Sequence, residues 1–455
     1  MKKYILALAI ALTLVWGSLA CAYEAFNGPT GVLQWNKKKA YDGYTLFAPV
    51  VKGKTTYLID MEGNVVHTWK HKYPPGLYAE LLPNGNLLRT SRLPMKQKKG
   101  YCGIGGNGGL VEEIDWDGNV IWRYKMWKKN TEIQHHTVYR MPSGTTMILG
   151  WEVKPRQEGI DKGRDPSTLP DKPVVQKGVP HVDWWVDFVR EVDQAGNTVW
   201  EWHAWDHVGT GPDKLDINYK LPDPVGHTYP NWDWSHLNSI DYIPETDQVV
   251  LNSRNFAEIY FINHKTGKIE YRWGNPSAYG QGKAPSYYDN GDQKMFGSHC
   301  ATVLENGNIL IFDNGSERPE GRRSAVIEMD PKTGEIVWEF EPKHTSSFFS
   351  YRQGAAQRLP NGNTLVTSTH GGHLFEVTKK GKIVWDYVSP VFAGKAKCVA
   401  TDDEAFDHKY HQNGMSNMIH RAYRYGADYP GLAGRDLSVK EPLVKDCPPF
   451  FKTYK

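Results

Sequence analysis

The sequence predicts an all-β chain folded as a six-bladed β-propeller with an irregular C-terminal tail. Two repeating patterns carry that expectation. A tight turn recurs as "LPNGN" at 82–86 and 359–363, with variants "MPSGT" at 141–145 and "LENGN" at 304–308. A second pattern, a polar residue, a Gly, an apolar pair and an aromatic, appears six times: "DMEGNVVHTW", "DWDGNVIWRY", "DQAGNTVWEW", "NHKTGKIEYRW", "DPKTGEIVWEF" and "TKKGKIVWDY". A unit recurring at this period is the mark of a repeat architecture.

In chain order, the first element is a leader. Lys2 and Lys3 make a basic start, Tyr4 to Val15 is an apolar run too short to span a bilayer, and Ala20-Cys21-Ala22 is a small-x-small cleavage site. Residues 1–22 therefore read as a secretory signal peptide, which places the mature chain in the periplasm. Lipidation of Cys21 is the competing reading. Six units follow at 41–72, 77–127, 135–206, 236–275, 299–343 and 351–390, so that 23–390 is the propeller. In each, Asn-Gly or Asp-x-x-Gly supplies the positive φ of a tight turn, and the flanks alternate apolar with polar as half-buried strands do. The closing aromatic can fill the space between one sheet and the next. "DWDGN" lacks the acidic spacing of a calcium loop and reads as a turn. A closed ring is preferred to a solenoid because it needs no capping units. Pro-, Asp- and Gly-rich stretches at 152–181 and 207–235 read as loops on one face. The tail, 391–455, holds no seventh unit and is expected to pack on the ring or complete a blade.

Composition excludes some functions. With 54 Lys and Arg against 51 Asp and Glu, no basic field points to nucleic acid. No later run is apolar enough for a membrane helix. The 17 Trp and 25 Tyr exceed what an interaction tail would need and supply packing surface. Cys102, Cys300, Cys398 and Cys447 survive cleavage; a Cys398–Cys447 clasp on the tail is expected, as an oxidising periplasm permits.

The chemistry sits in histidines that fall in register. His299 precedes Gly307 by eight residues, His136 precedes Gly144 by eight, and His236 precedes Pro244 by eight. Three consecutive units thus begin their first strand with an imidazole. A single inward His is most often a hydrogen-bonded core residue; three in register point to a shared site at one mouth of the channel. The far end of each hairpin returns there, bringing Arg254, then Asp313, Asn314 and Arg318, then His370 and His373. The resulting pocket is expected to be cationic, with few carboxylates. Guanidinium forks suit sulfate-like or phosphate-like oxygens, and neutral imidazole can act as nucleophile or base. Arginine beside histidine disfavours a cation, so no metal and no cofactor are expected. A His-only copper or zinc site remains an alternative.

The segments "DWSHLNSIDYIPETDQVVLNSRNFAEIYFINHKTGKIEYRWG", "GSHCATVLENGNILIFDNG" and "QRLPNGNTLVTSTHGGHLFEVTKKGKIVWDYVSP" resemble the bacterial arylsulfotransferase family, as does the tail "HRAYRYGADYPGLAGRDL". The resemblance implies a periplasmic six-bladed propeller that moves a sulfuryl group from an aryl sulfate to a phenol without a nucleotide donor. It also implies ping-pong chemistry through a sulfohistidine. Carried over by motif, the catalytic residues are His236, His299, Arg318 (with Arg322 and Arg323 as its rivals) and, as nucleophile, His370 or else His373. His136, Arg254, Asn314 and His373 would bind substrate, and Trp232, Trp234 and Tyr351 would stack on its ring. On this resemblance the chain is expected to lack the added N-terminal domain that helps some relatives dimerise, and homo-oligomerisation is left open. Two other classes fit the same residues: a non-catalytic propeller binding an anionic ligand or a protein partner, and a His-ligated metal oxidoreductase.

Overall fold

The computed structural model describes residues 30–94, 105–169, 174–176, 179–181, 183–219, 233–344, 348–392, 395–396 and 417–443. Cys102, Cys398, Cys447, Trp232 and the leader lie outside them. Cys300 is a buried free thiol. No helix among the described residues is long and apolar enough to cross a membrane.

Six antiparallel sheets form a six-bladed propeller whose innermost strands touch one another around the axis. Blades II, IV and V each take four successive strands from one stretch of sequence, whereas blade III has five, with Trp127–Lys128 pairing with Glu132–Arg140 and a separate hairpin of Val174–Gln176 and Val179–His181 inserted before Trp184–Val192. Blade II, for example, runs Pro75–Leu81, Leu87–Arg92, Gly109–Ile114 and Val120–Lys125. Middle strands such as Ile309–Asp313 are buried on both faces, which explains their unbroken apolar run; outer strands such as Val120–Lys125 alternate with solvent. Of the stretches read as loops, the described part of the first carries a six-residue helix, Arg156–Asp161.

Blades I and VI borrow from the chain ends. The unit at 41–72 supplies three strands of blade I, and the tail strand Ile419–Tyr425 pairs with Tyr44–Pro49 as the innermost fourth. Gly31–Trp35 adds a fifth, outer strand to blade VI by pairing with Ile383–Val388. Both ends are thereby held in the ring.

The repeated motif has two structural tasks. Its acidic residue caps the turn: Asn64 donates its backbone N–H to Asp60 Oδ1 at 2.8 Å and its amide to Oδ2 at 3.0 Å, with Gly63 at φ 83°. Asp115 with Asn119, and Asp193 with Asn197, repeat the arrangement. Its tryptophan ties each blade to the outer turn of the next. The indole N–H groups of Trp69, Trp122, Trp202, Trp273 and Trp338 reach the carbonyls of Asp115, Gln194, Gly267, Gly334 and Lys379. Trp385 then closes the circle on Met61 O at 2.9 Å. Burying one such indole between sheets contributes about 4–6 kcal/mol as an upper figure.

Candidate active site at the propeller axis

The innermost strands of blades III, IV and V bulge where the histidines stand. Strand pairing slips between Gln134 and Val138, between Leu237 and Ser239, and between His299 and Thr302. His136 and His236 adopt φ of 48° and 46°, and Cys300, beside His299, 54°. Left-handed backbone at such residues is costly and is held only where surroundings enforce it. A bulge re-aims a side chain, and here the three rings converge. The ring centres of His136 and His236 are 4.9 Å apart, those of His136 and His299 6.3 Å. One nitrogen from each lies within 4.8 Å of the others, and all three residues are buried.

A fourth imidazole joins from the tail. His420, on the innermost strand of blade I, has its ring 6.3 Å from His136 and 6.2 Å from His299. It is 1% exposed, and neither ring nitrogen has a hydrogen-bond partner among the described residues. Burial, reinforced by neighbouring cations and imidazoles, pushes His136, His299 and His420 well below the ordinary histidine range, so they stand neutral.

Hydrogen bonds set which nitrogen of each ring faces inward. His236 Nδ1 lies 2.5 Å from Asp233 Oδ2. His299 Nδ1 lies 2.7 Å from Asn314 Oδ1, and the orientation of that amide is fixed because its Nδ2 donates to Ser350 O and Gln353 O, both at 2.6 Å. His136 Nδ1 meets His135 Nδ1 at 2.8 Å, and His135 Nε2 is 3.0 Å from Asp187 Oδ1. His135 is itself stacked on Trp151 at 3.7 Å.

The expected residues divide into two groups. His136, His236, His299 and Asn314 come together. Arg254 is close enough to His299 to depress its basicity, but its guanidinium is bound by Glu317 at 3.1 Å. Arg318 is paired with Asp313 and lies 4.7 Å over the Phe296 ring; burial nonetheless pushes that carboxyl up to about 6. His373 bonds Asp386 at 2.7 Å and packs on Phe375, within blade VI. His370 stands beside the cluster, linked to it through Ser350 and Asn314. The expectation of few carboxylates is corrected: Asp187, Asp233, Asp313 and Glu317 all face this region, because buried guanidiniums and imidazoles require counter-charge. Trp234 is corrected too, since it is buried in the core with its N–H on Asp216 O at 3.3 Å. Tyr351 is exposed and stacks on His370 at 4.2 Å.

The sequence reading missed His420, Asp233, His135 and Arg352. "NMIHRAYRY" has the alternation of an inner strand with a His near its start, but no turn motif beside it indexes that His to the others. On the same strand, Arg421 lines a cavity of ≈ 560 Å³ along with Tyr78, Glu80, Tyr139, Asp241 and Tyr423. Arg421 also depresses His420, so it stands between that cavity and the imidazoles.

Comparison with known proteins bears on the whole chain. The Arylsulfotransferase (ASST) family pattern matches residues 32–421. The arylsulfate sulfotransferase AssT of Escherichia coli O6:H1 is 24% identical over 380 residues, which cover 71% of this chain and 58% of that protein. The chain thus spans less than two thirds of the curated relative. Among solved structures, a Bacteroides caccae protein of unknown function aligns with a TM-score of 0.46 at 10% identity, over 77% of this chain and 95% of its own. A streptogramin B lyase aligns at 0.42 and 12%, over 88% and 94%. Scores this low add nothing to the assignment. The family match takes in all six sheets and reaches the strand carrying His420, and on that extent the chain belongs to the arylsulfotransferase family.

Proposed function

We propose that the protein is a periplasmic aryl-sulfate sulfotransferase that passes a sulfuryl group to a phenolic acceptor through a sulfohistidine on His370. The observation that carries this reading is the state of the His370 ring. Burial and the guanidinium of Arg352 hold its pKa down to about 3, so the imidazole is neutral. Ser350 Oγ donates to Arg352 O at 3.0 Å, and therefore accepts from His370 Nδ1 at 3.0 Å. The lone pair is left on Nε2, which is buried and has no hydrogen-bond partner among the described residues. A neutral imidazole with its proton fixed on the far nitrogen, beside a guanidinium and under an exposed tyrosine, has the make-up of a nucleophile for an aryl sulfate.

In this mechanism Nε2 attacks sulfur in line, and the bond from sulfur to the aryl oxygen breaks with its electron pair leaving on the phenolate. The positive charge gained by the ring is shared through Nδ1–H with Ser350 Oγ. An acceptor phenolate then attacks the same sulfur, and the N–S pair returns to Nε2. Arg352 offers its charge to the sulfuryl oxygens during both transfers. His136, His236 and His299 stand on the other side of the transferring group, supported by Asn314. Arg254 and Arg318, each held by a carboxylate, contribute field rather than direct forks. His373 is outside this reading.

Brief exposure of the protein to a nitrophenyl sulfate, followed by peptide mass spectrometry, tests it. One sulfuryl group on His370, discharged by an added phenol, is expected. Nitrophenol release with no labelled histidine would remove the covalent step, and no release at all would remove the activity.

A further inference from the structure

We propose that the cavity of ≈ 560 Å³ at the far end of the inner strands binds a small organic ammonium ion with an apolar body, of the arylalkylamine class. This cavity is separate from the imidazoles. Its walls include Tyr139, Asp241 and Val303, which stand three, five and four residues beyond His136, His236 and His299 along the same inner segments. At about 3.4 Å per residue, that is a displacement of roughly 10–17 Å along the strands. The opening lies between the turns at 304–307 and 359–362, where the inner hairpins of blades V and VI reverse. His370 stands at the other end of the blade VI hairpin.

Two carboxylates and three phenol rings set its chemistry. Asp241 accepts the backbone N–H groups of Tyr242 and Val303, both at 2.8 Å, and Glu80 accepts the Tyr78 hydroxyl. Both acids are thus held in place by neutral donors. Burial raises the two of them, Asp241 to about 7, and the pull of Arg421 is the smaller effect. Arg421 is engaged elsewhere. Its Nη1 donates to Thr137 Oγ1 at 3.4 Å and its Nη2 to Asn238 O at 3.1 Å, and the guanidinium lies 5.5 Å over the Tyr78 ring. Arg358, nearer the opening, is paired with Glu328 at 2.7 Å. Around the whole wall, the carboxylates of Glu80, Asp241, Glu305 and Glu328 outnumber the cations of Arg358, Lys379 and Arg421 by one. The uncompensated charge is at the deep end, with Glu80 and Asp241.

The occupant follows from that imbalance and from the rings. An anion would meet two fixed carboxylates. A bare metal ion lacks a ligand set, since the group of His, Cys, Asp and Glu side chains spaced for one among the described residues is the imidazole group at the other end. An ammonium ion supplies the missing charge to Glu80 and Asp241. Its hydrocarbon body fits against Tyr78, Tyr139 and Tyr423, of which the first and last meet edge to face at 6.4 Å. The space is of the size that small-molecule sites have. None of this depends on sulfuryl transfer.

The test titrates the full chain with phenethylamine by calorimetry at about pH 8, where Asp241 is ionised. The probe carries neither a phenol nor a sulfate, so the sulfuryl-transfer reading makes no claim on it. One saturable site is expected, with the uncharged analogue 2-phenylethanol binding at least about tenfold more weakly. Glu80→Gln and Asp241→Asn each keep an oxygen acceptor for the neutral donors and should weaken amine binding about tenfold or more. His299→Gln should leave it unchanged. Absence of saturable binding by wild type, equal binding of amine and alcohol, or undiminished binding by a Glu80→Gln/Asp241→Asn protein that circular dichroism shows to be folded overturns the site. So does loss of binding on His299→Gln, which would move the amine to the imidazoles. Nitrophenol release is assayed separately: amine binding without release keeps this site and removes sulfuryl transfer, and release without amine binding does the reverse.

Discussion

The carboxylate of Asp233 lies 2.5 Å from Nδ1 of His236, three residues along the chain, in the turn that leads into the innermost strand of blade IV. The contact sets the tautomer and the tilt of a ring whose backbone is already left-handed. Asp233→Asn keeps the shape and removes the charge. Nitrophenol release should slow on the order of a hundredfold, because the ring loses the partner that fixes its tautomer, with little change in the urea midpoint. The absorbance of released nitrophenolate measures the first and circular dichroism the second; an unchanged rate would show that His236 needs no such anchor.

Arg352 acts on His370 through charge. Arg352→Met removes that charge, so the His370 pKa should rise, although burial, the larger cause, still holds it below the ordinary value. The sulfuryl-transfer rate depends on the neutral ring, so the acid limb of its pH profile should move to higher pH. The plateau should drop on the order of a hundredfold from the lost contact to the sulfuryl oxygens. A lower plateau with an unmoved limb would mean that Arg352 binds substrate but does not tune the nucleophile.

Trp385 is the last link in the ring of indoles. Trp385→Phe retains much of the buried ring but leaves the Met61 carbonyl without its donor. A loss of about 1–3 kcal/mol is expected from urea unfolding. The same change at Trp338, which is half-buried, should cost less because water can replace the lost donor.

His71 makes folding sensitive to acid. Burial first, and Arg89 second, lower its pKa to about 2, and Nε2 lies 2.9 Å from Thr56 Oγ1. Between the ordinary value near 6.5 and about 2, the unfolded chain takes up a proton that the folded one refuses. Stability is therefore full above about pH 6.5 and declines as the pH falls. Replacing His71 with Gln should remove about 1–2 kcal/mol of the loss between pH 7 and pH 5, read as a smaller shift of the urea midpoint. Equal shifts in both proteins would contradict the assignment.

What could be read from the sequence was whatever is local or periodic. The turn residues Gly144, Pro244 and Gly307 put His136, His236 and His299 in register because each hairpin closes on itself within a few residues. The motif tryptophans were likewise readable as inter-sheet fillers, since each stands four or six residues after a turn glycine, on the same face of the strand. His420 was not, because its strand pairs with Tyr44–Pro49, across nearly the whole chain, and has no turn motif to index it. The engagement of Arg254 by Glu317, 63 residues on, depends on how separate loops fold back, which no spacing encodes, and that of Arg318 by Asp313 depends on a local turn that the strand pattern does not specify. Trp234 read as a loop aromatic because polar neighbours surround it in sequence; its packing against Trp205 and Phe256 is tertiary.

The tail strand in blade I turns the order of synthesis into a checkpoint. Until residues 419–425 leave the ribosome, Tyr44–Pro49 presents a bare hydrogen-bonding edge toward the centre. The imidazole quartet is also one member short for that interval. A chain that stops short of this strand therefore carries an unpaired inner edge and a cluster of three imidazoles in place of four.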